Sequence, residues 1–162
     1  MQLWHISYSS NLRPMLEKLL PNTIDNQYKG NKIALYFFYL ITVVTIVRSC
    51  IHMLKDDGGA QSIATIPLDS YSENAAAVVI LIFSLWGLSQ LLMGIFYAIV
   101  AVKYKSLIPL MYVFLFLEYT IRIGLGSMKP IVTTGQAPGG IANLVFPPLT
   151  LVLFFLSLPK KN

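Results

Sequence analysis

Residues 107–125, LIPLMYVFLFLEYTIRIGL, decide how the whole chain is read. They are apolar and long enough to cross a bilayer, which takes about 20 predominantly apolar residues. Yet they hold Glu118 and Arg122, four positions apart. On a helix such positions share a face, and Glu ahead of Arg is the favourable order. A lone charge in hydrocarbon costs at least about 2.5 kcal/mol, so it turns toward the bundle interior, a partner or water. A chain built around this stretch must supply other helices to shelter the pair.

The composition agrees. Of 162 residues, 56% are hydrophobic and 12% charged, whereas a soluble domain carries about 25% charged residues. The mean hydropathy is +0.66. These values predict an all-α integral membrane protein, a four-transmembrane-helix bundle of one domain, with the lipid bilayer as its main partner. The net charge of +5 comes from basic residues dispersed at segment ends. They form no stripe interleaved with aromatics, so nucleic acid is not an expected partner. The single cysteine, Cys50, excludes an intrachain disulfide and any CxxC motif.

Outward from that stretch, residues 1–32 read as a cytoplasmic arm. No early apolar core marks a signal peptide. Asn11 to Leu20 predicts an amphipathic helix, with Asn11 as cap, Pro14 in the first turn and Leu12, Met15, Leu16, Leu19 and Leu20 on one face. With Arg13 and Lys18 suited to headgroups and Trp4 and Tyr8 as anchors, it reads as an interfacial helix. The alternative is a helix packed on a soluble partner.

The bundle, residues 33–158, divides into spans of about 33–54, 75–102, 107–125 and 141–158, followed by a cytoplasmic tail, 159–162. In the first span Thr42, Thr45, Arg48, Ser49 and His52 fall on one face, which should turn inward. The second span carries Gln90 and a small-residue seam of Ser84, Gly87, Gly94 and Ala98, of the kind that lets helix backbones approach closely. Lys103-Tyr104-Lys105-Ser106 is short enough to make spans two and three antiparallel, with Pro109 in the first turn of span three. In the fourth span Pro147-Pro148 removes two helix hydrogen bonds near Asn143 and Leu144, which predicts a kink.

Asp56-Asp57-Gly58-Gly59 is a turn signal. Two carboxylates without further spaced oxygen ligands do not make a metal site, and no metal or cofactor is expected. Ile63, Ile66, Pro67 and Leu68 predict that the 55–74 connection folds back on the bundle. Ser70-Tyr71-Ser72-Glu73 marks the next helix start.

Charge sets an orientation. Arg13, Lys18, Lys29, Lys32, Lys103, Lys105, Lys160 and Lys161 fall on one side of a four-span chain, and Lys55 and Lys129 on the other. The positive-inside rule then places both termini in the cytoplasm, and the compact plan suits a bacterial inner membrane. At about 1.5 Å per residue, Arg48 lies roughly 22 Å from the cytoplasmic end of its span, and Glu118 and Arg122 roughly 18 and 24 Å from theirs. With His52 and Asn143 they predict a polar cluster in the outer half of the bundle, with Gln90 deeper as its floor. Glu118 cannot neutralise both arginines, so positive charge is left over.

These residues favour a non-enzymatic protein, an accessory or structural subunit of a membrane complex. The alternative is a binding or transport protein for a small anionic, quinone-like or lipid-like ligand entering from the outer face. An enzyme would have to use His52 or Glu118 as proton carrier, without a nucleophile, metal set or nucleotide loop beside it. Homo-oligomers also satisfy the pattern. No motif names a family, and the chain is similar only in gross plan to compact four-span proteins such as the DoxX-like group.

Overall fold

The computed structural model describes residues 13–159. Trp4, Tyr8, Asn11 and Leu12, assigned above to the arm, lie outside them, as do Lys160, Lys161 and Asn162. The described chain is helical: α1 (Arg13–Leu19), α2 (Lys32–Leu54), α3 (Glu73–Lys103), α4 (Ile108–Met128) and α5 (Pro138–Ser157). The last four are long and apolar enough to cross a membrane. Leu19 of α1 packs on the main core, while Leu16 and Leu20 are exposed.

Local chemistry explains the ends. Asn31 caps α2, its side chain accepting from the Ile33 amide. Ser72 rather than Ser70 caps α3, accepting from Ala75 N–H. The last two spans run further into the loop between them than the sequence predicts. α4 runs to Met128 through Gly124 and Gly126, and α5 starts at Pro138, so that loop shrinks to 129–137. Glycine weakens a helix through backbone entropy but does not end one where nothing else competes for those backbone groups. α5 is continuous through Pro147-Pro148, and the Thr150 hydroxyl donates back to the Phe146 carbonyl at 2.7 Å.

The helices pack as two antiparallel hairpins, α2 with α3 and α4 with α5. α2 and α5 touch along the side, whereas α3 and α4 diverge after the tight turn that joins them. Glycine sets the closeness of the first hairpin. A Cβ on Gly87 would meet His52 Cβ at 2.8 Å, and one on Gly94 would meet Ile46 Cγ1 at 2.9 Å. The core lies toward the basic end, built on Phe38, Tyr97, Tyr112, Leu115, Tyr119 and Leu153. Phe38 meets Tyr97 and Tyr112 edge-on at 5.7 and 5.9 Å, and the Tyr112 hydroxyl donates to the Ala34 carbonyl at 2.6 Å. Outside the core, α2 and α3 present Val43, Val47, Val78, Leu81, Leu85 and Leu92 outward.

Each end is tied. At the basic end, the Asn31 amide donates to the Leu156 carbonyl and Ser106 is hydrogen-bonded to the backbone of Asp25. Burial pushes the Tyr28 phenol there up to about 12, and its hydroxyl donates to the Asn31 carbonyl. At the acidic end Ala60, Ile66 and Leu68 fold back onto Ala76, Val79, Ile80 and Phe83 of α3. This end also joins the hairpins. Thr65, with φ of 57°, donates its hydroxyl to the Gly135 carbonyl, and its own carbonyl accepts from the Thr134 amide.

Candidate polar site between the hairpins

Three pairs spaced by four residues meet where the hairpins face each other: Arg48 and His52 on α2, Trp86 and Gln90 on α3, Glu118 and Arg122 on α4. Each pair shares a helix face because the helix turns every 3.6 residues. Arg48 Nη2 donates to Gln90 Oε1 at 3.0 Å, and Gln90 Nε2 donates to Glu118 Oε1 at 3.1 Å. Arg122 Nη2 forms a salt bridge to the same carboxylate oxygen. Gln90 is therefore the link between the charges rather than a floor beneath them. Glu118 lies ten residues from either end of α4, at its midpoint, because α4 continues past Leu125. Arg48 lies six residues from the acidic end of α2, nearer that end than Glu118 is to either end of α4.

Trp86 is the residue that sequence reasoning missed. The guanidinium carbons of Arg48 and Arg122 lie 5.6 and 5.2 Å from its ring centre, and Arg122 also lies 5.3 Å from the Tyr119 ring. Each cation–π contact contributes about 0.5–1 kcal/mol, and more when dry. The indole thus offsets some of the surplus positive charge that Glu118 leaves. The available signal was its position four residues before Gln90.

His52 and Asn143 make no hydrogen bond to these side chains. His52 is buried against Trp86, with ring centres 4.8 Å apart, and its Nδ1 lies 2.7 Å from the Gly58 carbonyl. A carbonyl only accepts, so Nδ1 carries the proton and His52 holds the Gly58-Gly59 turn. Gly58 and Gly59 have φ of 59° and 74°, a left-handed conformation that glycine adopts without a Cβ penalty. Asn143 Oδ1 on α5 and Arg48 Nε are buried polar atoms without a hydrogen-bond partner among the described residues.

At the acidic end two carboxylates are taken up by hydrogen bonds within the connection. Asp57 accepts the Gly59 and Ser62 amides at 2.9 and 2.7 Å, and Asp69 accepts from Gln61. Partial burial pushes the Asp57 carboxyl up, but those amides and Lys55 outweigh it and bring it down to about 2. Among the described residues no three His, Cys, Asp or Glu side chains gather as a metal set.

Two cavities flank the network. One, of about 550 Å³, is a groove between the diverging α3 and α4, with Trp86, Gln90, Phe114, Glu118 and Arg122 in its wall. The ion pair opens into it: the Arg122 and Glu118 side chains are 23% and 28% exposed. The other, of about 160 Å³, lies on the opposite side of Arg48, lined by α2, α4 and α5. No family model matches the chain, and no curated protein or solved structure is significantly similar to it.

Proposed function

We propose that this protein is a non-enzymatic, four-span integral membrane protein that works as an accessory subunit, receiving a helix of a different membrane protein in the α3/α4 groove. The observation that carries this reading is the half-open ion pair at the midpoint of α4. Within a bilayer, the groove would present Glu118 and Arg122 to hydrocarbon, where charges are costly. A partner helix covering it removes that cost, and small or polar side chains on that helix can hydrogen-bond to the pair. Charge argues for a different protein over a second copy. Arg48, Arg122 and Glu118 leave one positive charge, and a self-dimer would bring two such surpluses together. An acidic or carbonyl-bearing partner face is complementary.

The basic end, with Lys29, Lys32, Lys103 and Lys105, suits the cytoplasmic side, and the acidic end the outer side. The compact four-span plan favours a bacterial inner membrane, with α1 lying at the cytoplasmic interface.

Photocrosslinking in the native membrane tests the reading. A photoreactive residue at Met93 or Phe114, in the groove wall, is expected to give a discrete adduct with another protein. The same probe at Leu144, exposed on α5, is expected to give none. Adducts of this chain with itself, or equal labelling at the three positions, would overturn the assignment.

A further inference from the structure

We propose that the cavity between α2, α4 and α5 binds a single-chain amphiphile with a carboxylate head, the head on Arg48 and the tail passing out between α2 and α5. This rests on the Arg48 guanidinium and on a cavity separate from the α3/α4 groove, and it draws on the same surplus positive charge.

Arg48 Nη2 is committed to Gln90 on the α3 side. Its Nε is buried without an acceptor, and Arg48 lines the α2/α4/α5 cavity. A buried guanidinium N–H without an acceptor forfeits a charge-assisted hydrogen bond. Arginine has donors only, so the missing group is an acceptor. The local charge selects an anion, because the network holds two guanidiniums and one carboxylate. The planar guanidinium edge fits a carboxylate.

The cavity is mostly apolar. Its volume of about 160 Å³ admits a carboxylate and the first methylenes of one chain. The walls beyond Arg48 are Phe37, Leu40, Ile41, Val44, Phe146 and Leu149. Phe37, Leu40 and Val44 are exposed, so the mouth opens sideways to where lipid tails would lie. Tyr119 and Phe146 stack at 4.4 Å and close the inner wall.

The test is native mass spectrometry of the delipidated full chain in detergent, titrated with hexadecanoate and, separately, with uncharged hexadecanol. Hexadecanoate is expected to give a saturable one-to-one adduct and hexadecanol to bind at least about tenfold more weakly, as loss of a charge-assisted hydrogen bond implies. Arg48→Gln is expected to weaken hexadecanoate binding by a similar factor. Val44→Trp alters an outward-facing position and fills the mouth, so it keeps the fold and should also abolish the adduct. It carries the test if Arg48→Gln does not fold. Absence of a saturable adduct would overturn the proposal. So would equal binding of the alcohol, or undiminished binding by Val44→Trp.

Discussion

Arg48 and Glu118 are joined at one remove, through the side-chain amide of Gln90. The Gln90 carbonyl faces the guanidinium and its NH₂ faces the carboxylate, the one orientation in which both charges gain a partner. α2, α3 and α4 are thereby linked by a neutral residue, so each charge keeps its pairing without direct ion contact between α2 and α4.

Gln90→Leu should remove both links while preserving bulk. Interhelical hydrogen bonds in membrane proteins contribute about 0.6 kcal/mol on average and up to about 2. With two lost, a destabilisation of about 1–2 kcal/mol is expected, read as a lower thermal midpoint in detergent. An unchanged midpoint would show that the network adds nothing to stability.

The glycines of α3 and α4 should respond in opposite ways. Gly87→Ala places a Cβ 2.8 Å from His52 Cβ and 3.1 Å from the Ser49 carbonyl, so α2 and α3 must separate. Overpacking of this kind costs about 1–3 kcal/mol. Gly124→Ala meets nothing within 4 Å and should stabilise α4 by about 0.5–1 kcal/mol through reduced backbone entropy. Thermal unfolding of the two variants side by side checks both signs.

Asp57 predicts a pH dependence at the acidic end. Its carboxyl is depressed from 3.8 to about 2. A depressed folded pKa means that the contribution is fully present above about 3.8 and is lost as pH falls through about 2. Asp57→Asn should therefore lower the thermal midpoint at pH 6. The gap to the native chain should close progressively between pH 4 and pH 2 (about the interval of the shift). A gap independent of pH would mean that the ionised carboxylate is not what holds Gly59 and Ser62.

The orientation is open to direct labelling. A cysteine placed at Ser127, exposed near the end of α4, should react with a membrane-impermeant maleimide added to intact cells, with Cys50 replaced by serine. A cysteine replacing Lys29 should react after lysis only. The reverse pattern would invert the topology.

Much of the architecture is readable in the residues because lipid-crossing length and helical periodicity are local properties. Thr42, Thr45, Ser49 and His52 are buried while Val43, Val47 and Ile51 face out, as the spacing within α2 dictates. The fold-back of Ile66 and Leu68 is legible for the same reason. What is not local was harder to see. How central Glu118 is in α4 depends on where that helix ends, and Gly124 and Gly126 look like an ending when nothing shows that their surroundings are open. Trp86 reads as one more apolar residue until two guanidiniums from other helices are placed beside its ring. The Nδ1 bond that diverts His52 to the Gly58 carbonyl arises from a left-handed turn that Gly58-Gly59 permits but does not dictate.

The Arg48–Gln90–Glu118 linkage also has a consequence for how the chain is made. Synthesis runs from the N-terminus at about 5–20 residues per second. Glu118 follows Arg48 by seventy residues, so about 4 to 14 s pass before the carboxylate exists. Throughout that interval α2 carries a guanidinium with no counter-charge, and Gln90 arrives first as a neutral stand-in. A ribosome stalled between residues 103 and 118 would leave the first hairpin complete in its backbone and unbalanced in its charge, the state most exposed to membrane quality control.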